Sequence, residues 1–189
     1  MYIETVSEAA ATGETALLYA QERERLGCVT NFVLAFSARP EVYRAWRQLN
    51  IAIQSSMDLR RYELATLAAA RELRSSYCTL AHGKVLAEQF YDAETVVGLP
   101  MGLNETDTAV MELAAKVARD ATTVGPEDVD RLRSLGLGDD EILDVVLAAA
   151  VRCLFSKTLD AVGAELDASF MQLDPLLRES LTVGRPIEA

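Results

Sequence analysis

The single histidine of this chain, His82, follows a cysteine, Cys78, by four residues within Ser75-Ser76-Tyr77-Cys78-Thr79-Leu80-Ala81-His82. Residues i and i+4 share one face of a helix, so the thiol and the imidazole can meet there. The thiolate is the reactive form of cysteine, and imidazole is the side-chain base best matched to neutral pH. Glu63 lies upstream on what reads as the preceding helix, where a carboxylate can fix the ring's tautomer. Cys78, His82 and Glu63 thus supply a nucleophile, a base and an orienting acid. The same residues also have an ordinary reading, since free cysteines are commonly packing residues and a lone histidine is commonly structural.

The elements that must position them read as helices. Asp58 suits the N-cap of a helix ending near Arg74, and Ser75 then caps a second helix containing Cys78 and His82. The connection is so short that the two helices must pack together. In this register Cys78 falls in the first turn, where free N–H groups and the helix dipole favour an anion. Elsewhere, Thr12 opens a helix that Gly27 terminates, and Pro40 starts one to about Gln54 with Val42, Tyr43, Trp46 and Leu49 on one stripe. Asn104 or Thr106 opens a helix to about Ala121, Pro126 a short one that Gly136 ends, and Asp139 a long apolar one to about Ala161. The tail from Asp174-Pro175 to Ala189 is less regular. Alanine, leucine, glutamate and arginine dominate and β-branched runs are short, so the predicted class is all-α. No linker rich in Pro, Gly or Ser divides the chain, which predicts one domain over residues 1–189.

Composition narrows the function. With 189 residues, 50% of them hydrophobic, the chain can bury a sizeable core. A net charge of −11 repels phosphate backbones, so neither nucleic acid nor an anionic membrane surface is an expected partner. The N-terminal Met1-Tyr2-Ile3-Glu4 lacks a basic stretch leading into an apolar run, and no segment is apolar enough to span a bilayer, so a cytoplasmic location is expected. Three scattered cysteines make no disulfide framework, and one histidine without clustered cysteines supports neither a zinc nor an iron–sulfur site. No cofactor is expected.

Several other residues carry two readings. Arg60-Arg61 can orient an anionic substrate or pair with nearby carboxylates. Tyr62, Tyr77 and Phe90 can line an apolar pocket or fill the core, while Trp46 and Phe36 read as core. Gly83, inside the helix, costs about 1 kcal/mol relative to alanine, which points to close approach of another helix. A faint repeat at an offset of 80 aligns Leu67-Ala68-Ala69-Ala70 with Leu147-Ala148-Ala149-Ala150, and Ser76, Ala81, Gly83 and Leu86 with Ser156, Ala161, Gly163 and Leu166. The second copy, within 138–170, has Thr158 and Val162 where the first, within 58–90, has Cys78 and His82. It reads as a duplicate without the chemistry.

The stretch from Glu63 to His82 resembles the signature of the alkylhydroperoxidase D-like proteins of the carboxymuconolactone decarboxylase superfamily. That signature is a glutamate, eleven residues, then Cys-x-x-Cys-x-x-x-His. Glu63, Cys78 and His82 fall in register on the glutamate, the second cysteine and the histidine. Tyr62-Glu63-Leu64 and Tyr77-Cys78 look like the peroxidase-related branch, and the likeness runs from Thr12-Gly13-Glu14 to the Leu181–Pro186 tail.

The resemblance implies an alkylhydroperoxidase D-like helical bundle, a homo-oligomer (trimer, dimer or hexamer) and a thiol peroxidase in which Cys78 attacks a hydroperoxide, His82 relays its proton and Glu63 orients His82. Two positions depart from the pattern. Ser75 replaces the first cysteine, which in the family resolves the oxidised sulfur as a disulfide. Ser75 can only cap the helix and steady a thiolate, so recovery requires an external thiol or dithiol, unless Cys28 or Cys153 resolves Cys78. Tyr77 stands where characterised members tend to carry a further histidine. Two alternatives follow: a lactone-type acid–base enzyme using His82 and Glu63 with Cys78 as bystander, or an oligomeric binding protein whose site has decayed.

Overall fold

The computed structural model describes residues 1–186, so the last three residues of the expected 1–189 domain and of the tail lie outside the described residues. The described chain is helical throughout, without strands: α1 (Gly13–Leu26), α2 (Asn31–Ala35), α3 (Pro40–Ser55), α4 (Leu59–Glu72), α5 (Ser76–Gln89), α6 (Ala93–Gly98), α7 (Glu105–Asp120), α8 (Pro126–Ser134), α9 (Asp139–Ala161) and α10 (Pro175–Leu181). Helix α4 is the axis of the bundle. From Tyr62 to Ala70 every residue is buried, and α5, α7 and α9 pack around it. Small side chains at Ala65, Ala68, Ala69 and Ala70, facing Ala109, Ala114, Ala148 and Ala149 in the same core, let these helices approach closely.

Local signals set most boundaries. Asp58 accepts from Arg61 N at 3.1 Å, and Asn104 from Asp107 N at 2.8 Å, each satisfying a free donor of the first turn. Gly27 ends α1 with φ 81°, a left-handed conformation that glycine adopts without steric cost. Two boundary residues act through backbone alone: neither Thr12 nor Ser75 makes a side-chain capping bond. The tail is more ordered than its sequence suggests, because Asp174 caps α10 by accepting from Leu176 N at 2.8 Å. The short helices α2 and α6 carry too few turns for a periodic signal.

On α3 the inward stripe is Tyr43 and Ile53, both buried, with Trp46 and Asn50 half-buried between them, whereas Val42 and Leu49, expected on that stripe, are 46% and 51% exposed. The apolar residues of α3 cover more than one face, and only one of those faces meets the core. Arg60 and Arg61 pair with Asp107 and Glu141, the structural reading of that dipeptide.

The two stretches aligned at an offset of 80 take different shapes. Residues 67–86 break at Leu73–Ser75 between α4 and α5, with Arg74 at φ 53°, whereas 147–161 run unbroken in α9. Gly83 lies under α10, and a Cβ there would overlap Leu181 Cδ1, so close approach does explain this glycine. Gly163 instead closes α9 at φ 67°.

The segment after α10 returns to the α4–α5 junction. Gly184 N donates to Ser76 Oγ at 2.9 Å, and a Cβ on Gly184 would overlap the Arg74 carbonyl oxygen. Backbone cannot yield as a flexible side chain can. Gly184→Ala is therefore expected to lower the unfolding free energy by about 1–3 kcal/mol, read as a lower urea midpoint at unchanged m-value; an unaltered midpoint shows that the tail detaches without consequence.

Candidate functional site

Three helices bring the site together. Helix α4 supplies Tyr62 and Glu63, α5 supplies Tyr77, Cys78 and His82, and α9 supplies Arg152. All six line one cavity of about 300 Å³, roofed on the α3 side by Trp46 and Asn50. The kink at Leu73–Ser75 folds α5 back along α4, which sets Glu63 against His82 across nineteen residues of chain.

Glu63 Oε2 lies 2.6 Å from His82 Nδ1. With the imidazole neutral, Nδ1–H donates to this carboxylate and Nε2 is left as the basic atom. Burial holds the His82 pKa below that of free histidine, the nearby Arg152 charge adds to the depression, and Glu63 opposes both. A neutral imidazole poised as a base is the outcome.

Cys78 is 2% exposed. Among the described residues its sulfur has one hydrogen-bond partner, and it is Arg152 rather than the expected His82: Arg152 Nη1 donates to Sγ at 3.7 Å. The i to i+4 spacing puts Cys78 and His82 on the wall of the same cavity without a hydrogen bond between them. Arg152 is itself 4% exposed, and Nη2 donates to Tyr62 Oη at 3.5 Å, which in turn donates to Asn50 Oδ1 at 2.7 Å. No carboxylate among the described residues comes within salt-bridge distance of it. Burial works to lower the Arg152 pKa, but attraction to Cys78 and Tyr62 prevails and raises it. Arg152 was not singled out from the sequence, although a signal exists: it is one charge inside the apolar run Ala148–Phe155.

The remaining candidates separate. Tyr77 lines the cavity, but its hydroxyl donates to Asp167, away from the sulfur, and burial followed by the Asp167 charge pushes its pKa well above the ordinary phenol value. Ser75 Oγ is buried without a well-formed hydrogen bond and touches neither the helix N-terminus nor Cys78, so the expected capping and thiolate contact are absent. Its polar neighbour is Asp160, whose pKa burial raises against the pull of that hydroxyl. Phe90 stands at the exposed end of α5, outside the cavity, as do Cys28 and Cys153. Among the described residues no group of three or more His, Cys, Asp and Glu gathers as a metal site, and no helix is long and apolar enough to cross a membrane.

The depressed pKa of the chain's one histidine has a signed consequence. Between the folded value and about 6.5, the unfolded chain binds a proton that the fold refuses, so stability falls as pH drops through that window. Urea midpoints between pH 7.5 and 5.5 are expected to decline with a slope of up to about 1.4 kcal/mol per pH unit, and His82→Gln to flatten it. Parallel profiles for the two proteins would mean that folding leaves the His82 pKa unchanged, and a steeper decline in His82→Gln would place a charged imidazole in the fold.

No protein-family model matches the chain, and no curated protein matches it. Solved structures do. The chain superposes on an alkylhydroperoxidase AhpD core, an uncharacterized peroxidase-related protein from Ralstonia eutropha JMP134, with a TM-score of 0.79 and 20% identity over 97% of each chain. An uncharacterized peroxidase-related protein from Silicibacter sp. TM1040 gives 0.74 and 19% identity over 90% of this chain and 91% of that one. A debrominase, solved as a cysteine-to-alanine variant with 2,3,4-tribromopyrrole, gives 0.76 and 13% identity over 95% and 97%. At the level of fold the resemblance read from Glu63, Cys78 and His82 holds, and the chain has the alkylhydroperoxidase D-like all-α fold.

Proposed function

We propose that the protein is a thiol-dependent oxidoreductase that reduces organic hydroperoxides at Cys78. The observation that carries this reading is the pairing of Cys78 Sγ with a buried, carboxylate-free Arg152 in the cavity that also holds the Glu63–His82 pair. A buried guanidinium is costly unless an anion accompanies it, and the sulfur is where an anion can form. That argues against a lactone-type reaction with Cys78 as bystander. The superposition on two peroxidase-related proteins supports the same chemistry.

In this reading the Cys78 proton passes through water or the substrate to His82 Nε2, and Glu63 steadies the imidazolium. The thiolate attacks the terminal peroxide oxygen. An S–O bond forms, the O–O bond breaks, and the departing alkoxide takes the proton back from His82 while Arg152 faces the negative charge. Cys78 becomes a sulfenic acid, oxidised by two electrons, and the hydroperoxide becomes an alcohol. One external thiol then attacks the sulfur with loss of water, and a second releases Cys78 and leaves as disulfide. Neither Cys28 nor Cys153 lines the cavity, so an outside reductant fits better than an internal disulfide.

A second reading rests on the debrominase neighbour. A thiolate that removes a soft electrophilic oxygen can remove a bromine, with the electron pair of the C–Br bond collecting a proton on carbon. Bromide release from a brominated pyrrole and thiol distinguishes this reading.

Cys78→Ser is expected to abolish consumption of cumene hydroperoxide in the presence of dithiothreitol, while Cys28→Ser and Cys153→Ser retain it. Arg152→Gln is expected to slow it about a hundredfold. Equal losses in all three cysteine variants sink the assignment to Cys78.

The resemblance also brings an expected homo-oligomer. Leu143, Leu147 and Leu154 of α9 recur along one exposed face, and Val42 and Leu49 of α3, which packs on α9, are exposed as well. This face is proposed as the contact between copies. Leu49→Glu with Leu154→Glu is expected to yield monomers in sedimentation equilibrium; an unchanged mass moves the contact elsewhere.

A further inference from the structure

The charge of the catalytic cavity is opposite to that of the chain. The protein carries −11, yet the cavity wall holds Arg25, Arg47 and Arg152 against one carboxylate, Glu63, which is committed to His82. Two buried N–H groups of the wall, Trp46 Nε1 and Arg152 Nε, have no protein acceptor. Buried donors are nearly always satisfied, so two unpaired ones on residues of a single cavity wall are exceptions that call for a partner.

The arginines are also supported from behind. A second cavity of about 540 Å³, between α1 and α3, adjoins the first, and Arg25, Tyr43 and Arg47 line both. At this shared wall Glu22 is buried. Its Oε2 accepts from Arg25 Nε at 3.0 Å and its Oε1 lies 3.6 Å from Arg47 Nε. One carboxylate thus braces two guanidiniums and neutralises only one of them. Both arginines remain reachable, with side chains 39% and 40% exposed. Planar guanidiniums match the fork of a carboxylate, and a positive wall in a low-dielectric cleft concentrates anions there.

We propose that the cavity takes carboxylate-bearing organic substrates, with the carboxylate held by Arg47 and Arg25 at the wall between the two cavities and the reducible group presented to Cys78. The reducible group is the hydroperoxide of the function proposed above, and the carboxylate site itself is independent of that chemistry. Arg47 and Arg25 are binding residues here, and Glu22 is a positioning residue that aims them.

The sole tryptophan, Trp46, lies in the cavity wall and reports binding without turnover. Titration with para-isopropylbenzoate is expected to change its fluorescence saturably, and the neutral para-isopropylbenzyl alcohol to bind about tenfold more weakly or worse. Arg47→Gln is expected to weaken the benzoate by about tenfold, Arg47→Lys by less, and added salt to weaken it in the wild type. In turnover, the para-carboxylate of cumene hydroperoxide is expected to exceed cumene hydroperoxide in kcat/KM, mainly through KM, with the gap narrowed in Arg47→Gln. Equal binding of acid and alcohol, or benzoate binding indifferent to Arg47, overturns the proposal even if both hydroperoxides are consumed. Arg47-dependent benzoate binding with neither hydroperoxide consumed upholds the carboxylate site and removes the peroxidase reading.

Discussion

A guanidinium in the apolar interior, without a carboxylate beside it, constrains everything around it. Arg152 sits on α9 between Cys78 and Tyr62, and its five N–H donors must be met by something other than an acidic side chain. A bare buried charge costs several kcal/mol. The fold meets that cost partly with Tyr62 and Asn50, partly with the sulfur, and leaves Nε buried without a protein partner. A hydrophobic residue at 152 would pack more easily between Cys78 and Phe155. A charge kept at that depth fits chemistry in which an anion comes and goes, at Sγ or on a departing oxygen.

The same logic explains why the site straddles three helices instead of residing in one motif. The first turn of α5 offers Cys78 free N–H groups and a favourable dipole, but a dipole is a diffuse source. Arg152 adds a localised one, and α9 can deliver it only because the alanine-lined faces of α4 and α9 allow the helices to approach closely. Glu63, one turn into α4, is fixed by burial of the whole helix, and the sharp Leu73–Ser75 break sets α5 at the angle that brings His82 to it. The tail then seals the break, with Thr79 Oγ1 donating to the Leu181 carbonyl and Gly184 N to Ser76 Oγ. The tail thereby helps to hold the angle between α4 and α5.

The sequence made the all-α class, the seven longer helices and the Glu63–Cys78–His82 set legible because caps, glycine stops and register are local signals. It concealed what depends on packing. Arg152 lies 74 residues from Cys78, so no spacing rule connects them. Ser75 occupies the cap position, yet its hydroxyl turns away, since side-chain direction at a buried junction is set by its neighbours rather than by propensity. The spacing of Cys78 and His82 put both on one face, but a shared face did not make a contact: the thiol turned to the guanidinium and the imidazole to the carboxylate. On α3, a sequence rich in apolar residues on two faces could not reveal which face met the core, and Val42 and Leu49 went to the outside.

This division between thiol and imidazole bears on how the oxidised protein can be restored. A sulfenic acid at Cys78 would lie almost fully buried beside Arg152, with no second thiol on the cavity wall. The reductant must therefore enter by the route the substrate uses, past Trp46 and the guanidiniums of Arg25 and Arg47. In the reaction proposed above, those cations favour anionic thiols for the same reason that they favour anionic substrates, because electrostatic attraction in a cleft does not discriminate by reaction step. His82, kept neutral by its surroundings, can receive a proton in each half: from Cys78 on attack by the peroxide and from the incoming thiol on reduction. In the proposed reaction the external thiol, not the base, stands in for the resolving cysteine that the family signature has where this chain has Ser75.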